Sequence, residues 1–178
     1  MRIILILLLS IRLVAEGYQA VVDEALKDYY EAAKVGNVTV LREEFKAGVP
    51  IGIADSRGYT ALIYAAYYGQ EDTVDFLLEQ GADPCQKDLR GNSALMGAIF
   101  KGNFRIALRL MNTACSVNTK NHAEQTALMY ASLFGRKDIA EKLIERGADK
   151  SLMDQNGFSA KSLAVSQGND EMLDVLGQ

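Results

Sequence analysis

The chain of 178 residues has no tryptophan, one histidine and two cysteines. A structural zinc site takes four cysteine or histidine ligands, so this inventory excludes one. The sequence also lacks the glycine-rich phosphate-binding loops, the G-x-S-x-G and S-x-x-K nucleophile motifs and the H-E-x-x-H metal motif. Nothing in the sequence supplies a nucleophile or an orienting partner for His122, so we interpret it as a solvent-facing turn residue. We therefore predict a non-enzymatic protein with no catalytic, cofactor-binding or metal residues.

Positive charge is also scarce. The chain has 19 Lys and Arg against 23 Asp and Glu, which gives a net charge of −4 and a pI near 5.1. A nucleic-acid-binding protein would show a basic stripe, so the balance argues against one. The composition, 49% hydrophobic and 24% charged, is typical of a globular protein.

A short apolar run opens the chain. It extends from Ile3 to Ile11 after a single arginine, and Ala15 and Gly17 place small residues where a signal peptidase requires them for a cut after Gly17. The run is short for a membrane span, so we predict a signal peptide over residues 1–17 and a periplasmic or secreted protein. The alternative, which the charge of Arg12 leaves open, is an uncleaved apolar anchor or an N-terminal helix packed on the domain.

The rest of the sequence repeats at a constant interval. Asp55, Asp88, Asn121 and Asp154 begin successive blocks of equal spacing. A Thr or Ser that can cap a helix follows in each block, and a glycine able to end that helix in the left-handed conformation comes later in the same block, always at the same distance. The blocks are 55–87, 88–120 and 121–153, with a degenerate block before them (22–54) and a truncated one after them (154–178).

The interval and the segments TALIYA, SALMGA and TALMYA resemble the ankyrin repeat, whose period is about 33 residues. The resemblance covers residues 22–178 and implies an all-α solenoid of stacked helix pairs with β-hairpin or turn fingers, about four to five repeats including two capping repeats. The domain organisation is then a signal peptide over 1–17 and an ankyrin repeat domain over 18–178. Such end repeats shield the stack from water.

Two positions depart from the repeat. Glu124 stands where the finger turn has glycine, and we expect a different turn there rather than a strained left-handed glutamate. Gly97 stands where the neighbouring repeats have Tyr64 and Tyr130. We favour the interpretation that those two rings fill the space over Gly97; the alternative is a notch for a side chain of a partner.

Cys85 and Cys115 lie at different repeat positions, near the bases of adjacent fingers. Stacked repeats stand about 8–10 Å apart, which is long for the Cα separation of a disulfide. We favour two separate buried thiols, and a disulfide remains the alternative.

The resemblance also implies where a partner binds, since the family recognises proteins with its finger tips and the exposed ends of its first helices. The end positions are aromatic or aliphatic in three successive repeats, which would form a contiguous apolar patch that monomers rarely expose without use. The tyrosine, phenylalanine and arginine content is typical of an interface hot spot. The predicted partner-binding residues are Arg57, Tyr59, Tyr67, Tyr68, Arg90, Asn92, Phe100, Lys101, Leu133 and Phe134.

The sequence therefore favours an exported, non-catalytic protein-binding module that is monomeric when free and binds one protein partner. Among small exported proteins of this build, we favour an immunity protein that inhibits a toxic effector enzyme. An accessory factor for an envelope enzyme and a membrane-tethered scaffold are the alternatives. The negative net charge would steer association toward a basic partner.

Overall fold

The computed structural model describes residue 17 and residues 20–177. The predicted signal peptide lies outside these residues, apart from Gly17. Residues 20–25 are helical, and ten helices follow. They are α1 (Lys27–Val35), α2 (Val38–Lys46), α3 (Ala61–Tyr68), α4 (Glu71–Glu79), α5 (Ala94–Lys101), α6 (Phe104–Met111), α7 (Ala127–Leu133), α8 (Lys137–Glu145), α9 (Ala160–Ser166) and α10 (Asp170–Leu176).

The helices pair within each repeat and stack between repeats, as the resemblance predicted. The first helices α1, α3, α5, α7 and α9 form one row, and the second helices form another. Short fingers join the repeats, and three of them close with a single antiparallel β-bridge, at Ala54–Thr60, Lys87–Ser93 and Met153–Ser159. The all-α solenoid is thus confirmed. Between residues 20 and 177, none of the helices has the length and apolar character to cross a bilayer.

The first helices begin and pack as their residues dictate. The side chains of Thr60, Ser93, Thr126 and Ser159 each accept a hydrogen bond from the backbone N–H three residues on, which caps the helix. The helices are narrow because alanine lines their packed faces. These alanines are fully buried, and they are Ala65, Ala66, Ala98, Ala131 and Ala164.

Each finger is held by its first side chain. In the second repeat, Asp55 Oδ1 accepts hydrogen bonds from the backbone N–H groups of Arg57 and Tyr59, at 2.9 and 2.8 Å. Asp88 makes the same pair of contacts with Arg90 and Asn92. Asn121 and Asp154 repeat the arrangement in the last two fingers. An oxygen acceptor at this position is therefore the feature that the repeat requires, and the amide of Asn121 satisfies it as well as a carboxylate.

The finger of Glu124 corrects one of our expectations. Glu124 has φ +62°, and its N–H bonds to the Asn121 carbonyl at 3.0 Å, as the N–H of Gly58 bonds to Asp55. The turn is therefore the same and the glutamate adopts the left-handed conformation, at a cost of about 1–2 kcal/mol. The hydrogen bonds from Asn121 hold this turn, and Lys120 Nζ pairs with the exposed Glu124 carboxylate at 2.8 Å.

The two cysteines correct a second expectation, that they are separate buried thiols. Cys85 and Cys115 form a disulfide, with Cα atoms 5.5 Å apart. The expectation of separate buried thiols was wrong because it used the spacing of packed helices, whereas both cysteines lie in the loops that follow α4 and α6. Those loops approach each other more closely than the helix axes do, and Cys85 is exposed.

Two buried threonines give a matched test of the contribution that a helix cap makes to stability. Thr60→Val removes the hydroxyl that caps α3, and we expect a loss of about 1 kcal/mol in the free energy of unfolding. Thr73 is equally buried, but its hydroxyl has no hydrogen-bond partner in the described part of the chain. Thr73→Val should therefore leave stability unchanged or raise it. Urea unfolding followed by circular dichroism measures both, and a larger loss for Thr73→Val than for Thr60→Val contradicts the assignment.

Candidate functional site

Aromatic rings run in a row along the exposed ends of the first helices. We call Tyr68, Tyr67, Phe100 and Phe134 the aromatic row. Successive ring centroids lie 5.3, 5.8 and 4.8 Å apart, and the rings of Tyr67 and Phe100 are stacked at 14°. Tyr68 is 52% exposed and Phe100 is 39% exposed. The row crosses three repeats because Tyr67 and Phe100 occupy equivalent positions of successive repeats, so the stacking of α3 on α5 brings their rings face to face.

A cavity of about 460 Å³ opens between this row and the fingers. Its floor is at Gly97 in the middle of α5, and Tyr64 and Tyr130 stand in its walls. A β-carbon added at Gly97 would meet only Tyr67, at 3.8 Å or more. The rings of Tyr64 and Tyr130 therefore do not fill the space over Gly97, and the interpretation that we favoured is wrong.

Hydrogen bonds explain why those two rings leave the space open. The Tyr64 hydroxyl donates to Asp55 Oδ2 at 2.7 Å and also contacts the guanidinium of Arg57. The Tyr130 hydroxyl donates to Asn92 Oδ1 at 2.9 Å. Both rings are thereby fixed to finger residues instead of leaning over the glycine. Burial and the Asp55 carboxylate raise the pKa of Tyr64 above its usual value, and burial raises that of Tyr130.

Cationic side chains surround the cavity. Arg57 lies 4.6 Å from the ring centroid of Tyr59 and pairs with Asp55. Lys34 lies 4.7 Å from that of Tyr64 and pairs with Glu31. Lys101 lies 5.1 Å from that of Tyr67. Cations over aromatic faces at such distances are stabilised by the ring quadrupole, so the rings and charges form one surface.

Most of the residues predicted to bind a partner meet around this cavity. Those that line it are Arg57, Tyr59, Tyr67, Tyr68, Arg90, Asn92 and Phe100. Phe134 contacts the cavity wall through its ring packing on Phe100, and Lys101 through Tyr67. Leu133 is half-buried and packs on the core. That these residues bind a partner stays a prediction.

Several residues of the site are not among those predicted from the sequence. Tyr64 and Tyr130 were assigned to packing, although their position opposite the glycine of the middle repeat was the available signal. No sequence pattern indicated that Lys34 lines the cavity, because this residue belongs to the degenerate first repeat. The lining residues outside the predicted binding set are Lys34, Ile63, Tyr64, Asp88, Ser93, Met96, Gly97 and Tyr130. Of these, Gly97 is the notch that the sequence offered as an alternative.

A second hollow, of about 480 Å³, lies between the finger tips. Leu89, Arg90, His122 and Gln155 are among its lining residues. Backbone hydrogen bonds join successive finger tips. The N–H of Leu89 donates to the Arg57 carbonyl and that of His122 donates to the Arg90 carbonyl, both at 2.9 Å. The fingers therefore form a continuous rim along one side of the cavity.

Comparison with known proteins agrees with this geometry. A family model described as ankyrin repeats (3 copies) matches residues 29–121 and residues 95–178. The chain belongs to the ankyrin repeat family. Ankyrin repeats indicate a protein–protein interaction module, and the family typically binds proteins without catalysing a reaction.

Curated relatives come from diverse organisms. A putative ankyrin repeat-containing protein of Treponema pallidum (strain Nichols) is 34% identical over 145 residues, which cover 80% of this chain and 48% of that protein. The putative ankyrin repeat protein YahD of Escherichia coli (strain K12) is 27% identical over 188 residues, covering 84% and 94%. Potassium channel AKT2/3 of Arabidopsis thaliana is 30% identical over 141 residues, covering 79% and 17%. The chain thus spans less than half the length of two of these three.

The burial of Tyr64 and its hydrogen bond to Asp55 predict a dependence of stability on alkaline pH. Because its pKa is raised in the folded state, the unfolded chain loses the phenolic proton first as pH rises above about 10. The free energy of unfolding should then fall, by up to about 1.4 kcal/mol per pH unit for this one group. Tyr64→Phe should be less stable at neutral pH and should show a shallower alkaline decline. Urea unfolding at successive pH values measures both, and parallel declines of the two proteins would exclude Tyr64 as a contributor.

Proposed function

We propose that the aromatic row and the cavity behind it bind one protein partner, and that the free protein is a monomer. The observation that carries the proposal is the exposure of stacked rings around an open cavity. Apolar side chains of a folded protein normally pack until such spaces are filled. Here the rings pack on one another and still leave a concave surface with aromatic walls and a charged rim, which is the composition of an interface hot spot.

We further propose that the protein is exported to the periplasm, or secreted. The pattern of residues 1–17 supports this, and so does the disulfide between Cys85 and Cys115, since disulfides persist in oxidising compartments and are rare in the cytosol.

Within that compartment we favour an immunity protein that inhibits a toxic effector enzyme. An ankyrin stack has a preorganised surface. We call the aromatic row and the cavity behind it the groove, and occlusion of an active-site cleft by the finger tips and the groove would block substrate access without any reaction. An accessory factor that supports an envelope enzyme would use the same surface and differ in its effect. Adding the purified protein to the captured enzyme distinguishes them, because an inhibitor lowers turnover and an accessory factor raises or preserves it.

The binding surface is tested by Tyr67→Ala combined with Phe134→Ala. Removing both rings should weaken partner capture by at least about a hundredfold, because central aromatic residues contribute most of the energy of an interface. Affinity is measured with the partner that co-purifies from the cell envelope. Phe104→Ala is the matched control, since Phe104 is 37% exposed and lies on α6, outside the lining of the cavity.

The double variant should retain the helical content of the control and remain folded at the assay temperature, both of which circular dichroism measures. If it binds the partner as tightly as the Phe104→Ala variant does, the groove is not the interface.

Export is tested by the mass of the mature protein purified from its native cell. Cleavage after Gly17 predicts a chain that begins at Tyr18 and has no free thiol. An intact Met1 would exclude the signal peptide and would favour the membrane-tethered scaffold.

A further inference from the structure

Gly97 is a glycine that the fold does not require. It lies in the interior of α5, and its φ is not in the left-handed region. A glycine inside a helix is destabilising relative to alanine, because it loses more backbone entropy on folding. No backbone approaches it closely, because an added β-carbon would find only Tyr67, at ordinary contact distance. The glycine therefore lowers helix stability, and its structural effect is to leave the floor of the cavity open.

The neighbouring repeats show what the position holds otherwise. Tyr64 is the equivalent residue in the repeat before Gly97, and Tyr130 is the equivalent residue in the repeat after it. Tyrosine is thus compatible with this place in the helix pair. A ring at position 97 would project into the cavity, so part of the volume of about 460 Å³ is the space of a side chain that the middle repeat lacks.

The cations at the rim of the cavity differ in whether they already form an ion pair. Arg57 is paired with Asp55, and Lys34 is paired with Glu31. In the described part of the chain, Arg90 and Lys101 are the cations beside the cavity for which no ion pair is present. Arg90 is at the finger side and Lys101 at the helix-end side, so they stand on opposite sides of the open floor.

The acidic side chain in the cavity wall is not available to accept hydrogen bonds from an incoming ligand. Asp88 is 6% exposed, and its oxygens accept three hydrogen bonds, from the backbone N–H groups of Arg90 and Asn92 and from the Asn92 amide. Its carboxylate is therefore occupied within the finger. The surface that a ligand meets is aromatic in the centre and positive at both edges.

We propose that this cavity anchors an acidic segment of the partner, with one aromatic side chain inserted over Gly97 between Tyr67 and the finger wall. Carboxylates on either side of that aromatic residue pair with Arg90 and Lys101. The inference rests on the proposed function and specifies the chemistry of its partner. It also differs from the long-range expectation of a basic partner, because at physiological ionic strength charges farther than about 8 Å are screened and the local pair decides the contact.

The absence of tryptophan from this chain makes a direct assay possible. The probe is the blocked pentapeptide acetyl-Glu-Glu-Trp-Glu-Glu-amide, whose indole fluorescence can be excited without exciting the tyrosines of the protein. Its emission should shift to the blue on titration with the protein, because the indole leaves water for an apolar cavity. The peptide acetyl-Lys-Lys-Trp-Lys-Lys-amide is the charge-reversed probe, and it should bind at least about tenfold more weakly.

Gly97→Tyr is the decisive variant, since it places over position 97 the ring that the neighbouring repeats have. It should abolish the shift with the acidic peptide while raising or preserving the melting temperature. Gly97→Ala adds only a β-carbon at ordinary contact distance and is the matched control, expected to bind within about threefold of the wild type. Arg90→Gln should weaken binding of the acidic peptide by about five- to tenfold, and it should bind the basic peptide as tightly as the wild type does or more tightly.

Three results overturn the proposal. They are the lack of a saturable shift for the acidic peptide up to about 1 mM, which corresponds to a binding energy near 4 kcal/mol, equal binding of the basic peptide, or undiminished binding by a folded Gly97→Tyr variant. If Gly97→Tyr does not fold, loss of peptide binding in Arg90→Gln and Lys101→Gln decides the question, since both side chains are exposed.

The same variants separate this inference from the proposed function. Capture of the partner that is lost in Tyr67→Ala with Phe134→Ala but unchanged in Gly97→Tyr would leave the groove as the interface and exclude the cavity as the anchor. Capture unchanged in all of these variants would exclude the groove itself.

Discussion

The fold depends on one side chain in each finger that accepts two backbone hydrogen bonds. Asp55, Asp88, Asn121 and Asp154 each fix the turn that follows them, once in every repeat. Because the turn is fixed, each finger tip meets the previous one at hydrogen-bonding distance, and the next helix begins in register with its neighbour. The contact is strong enough that Glu124 adopts a left-handed backbone to keep it.

A second set of hydrogen bonds joins the repeats at the other side of the groove. In three repeats, the residue after the helix-ending glycine donates from its side chain to the last carbonyls of the first helix in the preceding repeat. Gln70 bonds to Lys34, Asn103 bonds to Ala66, and Arg136 bonds to Ile99 and Phe100. Carbonyls at a helix C-terminus have no partner within the helix, so these contacts satisfy them. The ends of α3 and α5, which bear Tyr67, Tyr68 and Phe100 of the aromatic row, are therefore held in place before a partner arrives, and less entropy is lost on binding.

The repeat 88–120 departs from the pattern of its neighbours at the centre of the proposed binding surface. Its glycine at position 97 lowers helix stability and opens a cavity, and its cations Arg90 and Lys101 lack the carboxylate partners that Arg57 and Lys34 have. Natural sequences depart from local optima mainly at functional sites. The departures coincide in space, which is the reason to interpret them together as one binding site.

Periodic residues by themselves determined the repeat, the helix caps and the positions of the rings, because each of these depends on contacts within a few residues or on the exact offset between repeats. Only the tertiary structure decided three other features. The disulfide forms because loops of adjacent repeats approach more closely than packed helices do. The turn at Glu124 is kept because the hydrogen bonds of Asn121 outweigh a local preference. The cavity over Gly97 stays open because the hydroxyls of Tyr64 and Tyr130 bind Asp55 and Asn92, and such bonds between finger and helix depend on side-chain geometry that the pattern of residue types does not contain.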